Sequence, residues 1–141
     1  MKYILLLFLF SCTYKSKCIR CKDGDTIVLE NKDVIRLAEI DANELRQQGG
    51  IEAKEFLSSL ILNKTIEVRK LGKDRYGRTI GKIYLNGLYI NKIMVDSGEA
   101  WAYKKYSSLY PYELEAKQKH LGLWKYSKCI APIVWRKEHK H

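Results

Sequence analysis

The segment Val34–Ile40 reads VIRLAEI, in which the side chains alternate between two faces. This period of two predicts a β-strand. Arg36 lies in the middle of the strand, on the same face as Val34 and Ala38. The strand ends at Asp41. A guanidinium and a carboxylate are therefore placed on one predicted strand and at its end.

The segments on either side of this strand predict a mainly β domain. We predict strands over 17–22, 26–30, 34–40, 65–71 and 79–85, and helices over 50–62, 89–96 and 111–120. A five-stranded barrel with a helix between strands three and four is the OB-fold plan, although other small α+β domains share this order. The predicted fold is α+β, mainly β: a five-stranded OB-fold barrel with three helices.

Length and charge limit the class of protein. A chain of 141 residues suits one domain with a sizeable core. It has 26 Lys and Arg against 16 Asp and Glu, a net charge of +10. A basic surface of this kind attracts polyanions, either nucleic acid or anionic lipid, and a solubilising charge is the alternative.

The N-terminal residues predict export. Tyr3–Phe10 is an unbroken apolar run, too short for a membrane-spanning helix, which needs roughly 20 apolar residues. The following LFSC resembles a bacterial lipobox ending at Cys12, and an ordinary cleavable signal is the alternative. We predict an export signal of lipoprotein type with a short linker over 1–16, and an OB-fold domain with a C-terminal tail over 17–141. The mature protein is then expected in the cell envelope or secreted.

The four cysteines are interpreted from that location. If Cys12 carries lipid, Cys18, Cys21 and Cys129 remain. An oxidising compartment favours disulfides, so we expect Cys129 to pair with Cys18 or Cys21 and one thiol to stay free. Such a bridge would tie the tail to the first strand. Cys18 and Cys21 also have the spacing of zinc ligands or a redox pair, but no second cluster accompanies them.

Charged residues at strand ends and turns are the candidates for chemistry. Asp25, Asp41 and Glu44 would offer hard oxygen ligands from separate turns, which suits Ca²⁺. Arg36 and Arg78 could bind one phosphodiester, because a guanidinium matches phosphate oxygens in pairs. The alternatives are Asp at turns for backbone reasons and surface ion pairs, for example between Arg36 and Glu44.

Three motifs taken together resemble the signatures of the thermonuclease (staphylococcal nuclease) family. They are Lys22–Thr26 (KDGDT), Ile35–Glu44 (IRLAEIDANE) and Asp74–Arg78 (DRYGR), in the order that the family has them. The likeness covers roughly Lys17 to Trp124. It implies that the domain over 17–141 is nuclease-like, an OB-type barrel that hydrolyses phosphodiester bonds of nucleic acid.

The resemblance also implies a Ca²⁺ site. The carboxylates of Asp25 and Asp41 and the backbone carbonyl of Ala42 match the family's metal ligands. The family often has Thr and then Pro where this chain has Ala42 and Asn43. A backbone ligand survives such a change, whereas the stiffness of the loop need not.

The remaining roles follow from the same resemblance. Glu44 matches the residue that activates or orients the attacking water, and Arg36 and Arg78 match those that bind the scissile phosphate. Tyr106 and Tyr103 resemble tyrosines near the nucleotide, with packing at the barrel edge as the alternative.

We therefore predict a calcium-dependent endonuclease with little sequence specificity, acting on DNA or RNA. A monomer is expected, with possible membrane attachment through lipid on Cys12. One alternative is a non-catalytic nucleic-acid-binding OB-fold lipoprotein, although all five charged positions are present. Another is a surface lipoprotein that binds anionic envelope polymers, which leaves the placement of the acidic residues and arginines unexplained.

Overall fold

The computed structural model describes residues 12–105 and 107–140. The strands are β1 (Thr13–Cys21), β2 (Thr26–Leu29), β3 (Val34–Leu37), β4 (Ile40–Asp41), β5 (Thr65–Lys73), β6 (Thr79–Leu85), β7 (Leu88–Tyr89) and β8 (Trp101–Ala102). The helices are α1 (Gly50–Ile61), α2 (Ile90–Asp96), α3 (Tyr110–Gln118) and α4 (Pro132–Glu138), with a 3-10 turn over Gly122–Lys125. Among the described residues, none of the helices has the length and apolar character needed to span a membrane.

Five of these strands close a barrel. β1 pairs antiparallel with both β2 and β5, β2 pairs antiparallel with β3, and β5 pairs antiparallel with β6. A parallel pairing between β3 and β6 completes the ring. Closure leaves the ring without free edges, as an OB-fold requires. The predicted five-stranded OB-fold barrel is confirmed.

Alternating strand residues fill the barrel. The fully buried aliphatic side chains of the five strands are Ile27, Leu29, Ile35, Leu37, Ile66, Val68 and Ile83. Helix α1 adds Ala53, Leu57 and Ile61, which are four residues apart and therefore lie on one face of the helix. The core thus lies inside the barrel and under α1. The loops at one end of the barrel are not needed to form this core and can hold functional residues.

The structure differs from the prediction at both ends of the domain. β1 begins at Thr13, four residues before the predicted strand, because its first half pairs with β5 instead of β2. A fourth helix, α4, follows the three that were predicted. It has only seven residues, and Ile133 and Val134 on it are exposed, so it carries no clear amphipathic pattern.

The predicted disulfide is wrong. All four cysteines are free thiols. Cys18 and Cys21 are buried in the barrel core, whereas Cys129 packs against a separate cluster that contains Trp124. The Cys129 thiol donates to the backbone carbonyl of Leu123 at 2.8 Å. The part of the tail around Cys129 therefore packs beside α3 and Trp124, and not against β1 as predicted.

Candidate active site

A cavity of about 560 Å³ opens beside the end of β3. It is lined by all six residues predicted for the site, namely Asp25, Arg36, Asp41, Ala42, Glu44 and Arg78. Tyr103 also lines it, while Tyr106 lies outside the described residues. The fold therefore brings the three sequence motifs together, and the chemical roles of these residues stay predictions.

Two glycines allow the loops of the site to approach one another. A Cβ on Gly24 would lie 2.7 Å from the Cβ atoms of Ala42 and Ala53. A Cβ on Gly50 would lie 1.9 Å from the backbone oxygen of Glu44. Both distances are impossible for real side chains, so glycine is needed at each position for the loops to pack against the start of α1.

Arg36 is fixed by the backbone and faces two carboxylates. Its Nη1 donates to the carbonyls of Leu37 at 2.7 Å and Ile40 at 2.9 Å. Its Nη2 lies 3.2 Å from Asp41 Oδ1 and 3.3 Å from Asp25 Oδ2. One guanidinium nitrogen therefore brings the two aspartates to the same point in the cavity.

The carboxylate of Asp25 is buried and hydrogen-bonded. Its Oδ2 accepts from the backbone N–H of Ala42 at 2.7 Å, and its Oδ1 accepts from Thr26 Oγ1 at 3.1 Å. Burial raises the pKa of Asp25 to about 7, although the charge of Arg36 acts in the opposite direction. Additional positive charge beside Asp25 would favour its ionised form.

The chemistry of these donors fits Ca²⁺. Asp25 and Asp41 are each only 6% exposed and present hard carboxylate oxygens towards one point. Within residues 12–105 and 107–140, no three His, Cys, Asp or Glu side chains converge as a ready metal cluster. A Ca²⁺ ion here would therefore need other oxygens, such as the carbonyl of Ala42, water or substrate.

Arg78 is held at the rim of the cavity by its own turn. Asp74 Oδ1 accepts from the backbone N–H groups of Tyr76 at 2.9 Å and Arg78 at 3.0 Å. Asp74 Oδ2 accepts from Arg78 Nε at 2.7 Å. Gly77 has φ 78°, which suits glycine at this turn. The turn thus orients the Arg78 side chain, which stays about a third exposed.

Glu44 has a partner that the sequence did not suggest. The alternative of a surface pair between Arg36 and Glu44 is wrong: Glu44 Oε1 lies 2.9 Å from Arg136 Nη1. Arg136 Nη2 also lies 2.9 Å from Asp41 Oδ2. Arg136 is 95 residues from Asp41 along the chain, and such a contact leaves no local signal in the sequence.

Asn43 stiffens the loop at the position where the family often has proline. Its Nδ2 donates to the carbonyl of Gln48 at 2.8 Å, and its Oδ1 accepts from Trp101 Nε1 at 2.9 Å. The buried amide of Asn43 therefore ties both sides of the loop that carries Glu44.

Glu39 is a second residue that sequence reasoning missed. It lines the cavity and has a positive φ of 67°, an uncommon conformation for a residue with a Cβ. Tyr89 and Ser108 each donate to its carboxylate at 2.9 Å, and Lys82 lies 3.3 Å away. These contacts hold the Glu39 side chain in a fixed position in the lining of the cavity.

Comparison with known proteins gives a consistent result. Residues 34–126 match the family model described as Staphylococcal nuclease homologue. The chain is 37% identical to an uncharacterized endonuclease of Escherichia coli O157:H7, with 96% of this chain and 97% of the relative covered. It is 40% identical to an uncharacterized endonuclease of Haemophilus influenzae, covering 97% and 84%. It is 39% identical to a micrococcal nuclease of Shigella flexneri, covering 91% and 83%.

Proposed function

The chain belongs to the staphylococcal nuclease homologue family, and we propose that it is a calcium-dependent nuclease that hydrolyses phosphodiester bonds of DNA or RNA. Relatives named as endonucleases and as a micrococcal nuclease support the activity. The observation that carries the proposal is the convergence of Asp25 and Asp41 on Arg36, in an open cavity that also holds Glu44 and Arg78.

In this proposal Asp25, Asp41 and the carbonyl of Ala42 hold Ca²⁺. A bound Ca²⁺ supplies positive charge that offsets the negative charge developing on the phosphate. The two aspartates fit this role because they are buried, lie on separate segments of the chain and present their oxygens to one point.

The other charged residues act on water and phosphate. Glu44 orients a water molecule and accepts its proton as the water oxygen forms a bond to phosphorus. The bond from phosphorus to the leaving oxygen breaks, and that oxygen takes up a proton from solvent. Arg36 and Arg78 donate hydrogen bonds to the phosphate oxygens, where charge accumulates.

Substrate attraction is proposed to come from overall charge and not from base contacts. The net charge of +10 favours any polyanion, and contacts to phosphate carry no sequence information. Weak sequence preference is therefore expected for a protein that acts as a monomer on the nucleic-acid backbone.

We also propose that the protein is exported and attached to a membrane through lipid on Cys12. Cys12 is exposed and directly precedes β1, and its carbonyl accepts from the backbone N–H of Lys70 at 3.0 Å. A lipid at this position would hold the barrel close to the membrane surface. Replacing Cys12 by Ser should move the protein from the membrane fraction to the soluble fraction, and an unchanged distribution would favour an ordinary signal.

The activity is tested by incubating purified protein with DNA and with RNA, in Ca²⁺ or in excess EGTA. We expect cleavage in Ca²⁺ and none in EGTA, with circular dichroism showing an unchanged fold. Cleavage in EGTA would contradict the calcium requirement. Nucleic acid that is bound but left intact under both conditions would identify the non-catalytic alternative.

A further inference from the structure

The C-terminal helix α4 places a cation inside the proposed active site. Arg136 Nη1 lies 3.2 Å from Asp41 Oδ1 and 2.9 Å from Glu44 Oε1, and its Nη2 lies 2.9 Å from Asp41 Oδ2. The guanidinium therefore binds Asp41 with two nitrogens and Glu44 with one. An arginine guanidinium stays protonated in proteins, so Arg136 is a permanent cation at this position.

This guanidinium uses the same oxygens that the proposed reaction needs. Asp41 is a proposed metal ligand, and Glu44 is the proposed partner of the attacking water. Both oxygens of Asp41 face Arg136, and Oδ1 is shared with Arg36. While Arg136 holds this position, Asp41 is not free to turn an oxygen towards another cation.

The charges in the cavity also disfavour the presence of Arg136 and a divalent metal ion at the same time. When ionised, Asp25, Asp41 and Glu44 carry three negative charges against the two positive charges of Arg36 and Arg136. A divalent ion added to this set would leave one net positive charge at close range. The same ion with Arg136 withdrawn leaves the set neutral, so the ion and Arg136 compete.

Helix α4 is attached in a way that would let Arg136 leave. The start of the helix is anchored, because Gln47 Nε2 donates to the carbonyl of Ile130 just before it and Pro132, its first residue, is buried. Beyond that anchor, Ile133 is 53% exposed and Val134 is 44% exposed. Helix α4 has seven residues, of which only Pro132 is buried, so the helix is marginal by itself and its local opening costs little free energy.

We propose that α4 is an autoinhibitory element whose Arg136 occupies the cation position between Asp41 and Glu44 and must be displaced before a divalent metal ion binds. The inference rests on the proposed metal site. The apparent metal affinity is then reduced by the fraction of molecules in which Arg136 is withdrawn. A metal ion opens the helix, and the closed helix keeps the site inactive when the metal is scarce.

Calcium affinity without nucleic acid tests this directly. Arg136→Gln removes the competing charge, and Lys137→Gln removes the same charge from the neighbouring exposed position on α4. Isothermal titration calorimetry should show Arg136→Gln binding Ca²⁺ about tenfold more tightly than wild type, because the variant has no closed state that competes with the ion. Lys137→Gln should stay within about twofold of wild type, because the charge of the exposed Lys137 is screened by water and salt.

Equal affinity in Arg136→Gln and Lys137→Gln would overturn the inhibitory role and leave the metal site standing. Absence of Ca²⁺ binding in all three proteins would overturn both the metal site and the inhibitory role. Hydrogen exchange gives a second measurement on the wild-type protein. The amides of residues 133–138 should exchange faster when Ca²⁺ is added, and slower exchange would contradict displacement of α4.

Discussion

The two arginines that face Asp41 are held in different ways. Arg36 lies on a barrel strand, its side chain is 17% exposed, and it donates to two backbone carbonyls. Arg136 lies on a short terminal helix, and its side chain is 40% exposed. Arg36 is thus part of the barrel, whereas Arg136 reaches the same aspartate from a helix outside the barrel. Two groups of the same charge can therefore have opposite functions, one permanent and one removable.

The largest expected effect concerns the stability of these two attachments. Arg36→Ala leaves the buried carboxylate of Asp25 without its counter-ion and leaves Asp41 with Arg136 alone. The unpaired buried charge should cost about 3–5 kcal/mol of the free energy of unfolding. Arg136→Ala breaks a half-exposed pair and should cost about 1 kcal/mol or less. Urea denaturation of both variants in EGTA measures the difference. Similar losses in the two variants would show that Arg136 contributes as much to folding stability as Arg36 does, which would contradict the comparison.

A second prediction concerns the rim of the cavity. Arg78→Ala removes a preorganised donor to the phosphate and should slow initial cleavage about 10²–10³-fold. The pair with Asp74 is partly exposed, so stability should change by about 1 kcal/mol or less. Lys73→Ala, outside the cavity lining, is the control for loss of one charge and should cleave nearly as wild type does. A wild-type cleavage rate for Arg78→Ala would contradict its role as a phosphate donor and leave only its ion pair with Asp74.

A smaller effect on stability is expected from substitution of a cysteine, and the cysteines also test whether the tail packs apart from the barrel core. Cys129 packs on the Trp124 side, away from the barrel core that holds Cys18 and Cys21. Cys129→Ser should therefore change the free energy of unfolding by about 1 kcal/mol or less. Peptide mapping of air-oxidised, non-reduced protein should find no link between Cys129 and either core cysteine. A peptide joined through Cys129 to Cys18 or Cys21 would contradict the observed tail position.

The same comparison explains how much the sequence could predict. The β-period over Val34–Ile40 is local, and it located β3 with Arg36. The predicted strand is too long, because a turn at Ala38 and Glu39, with Glu39 at φ 67°, separates β3 from β4, which holds Asp41. The helical spacing over 50–62 likewise located α1, and residues 79–85 were predicted with the bounds that β6 has. Each of these segments carries its signal in neighbouring residues, because one face of it is buried against the core.

The missed features depend on contacts that are distant in sequence. β4 and β8 have two residues each and exist because they pair with one another. Helix α4 is too short and too exposed to show a period, and Arg136 meets Asp41 across 95 residues. The predicted roles of Asp25 and Glu44 came from a family resemblance, since the residues taken one at a time favoured turns and surface ion pairs.

The initial cleavage rate of Glu44→Gln at saturating Ca²⁺, measured beside filter-binding affinity for DNA, tests the proposed nuclease mechanism most directly. Glu52→Gln, an exposed position in the first turn of α1, is the control that removes the same charge. We expect Glu44→Gln to cleave at least about a hundredfold more slowly, as loss of a general base does, with DNA affinity nearly intact. A rate for Glu44→Gln equal to those of wild type and Glu52→Gln would contradict the mechanism.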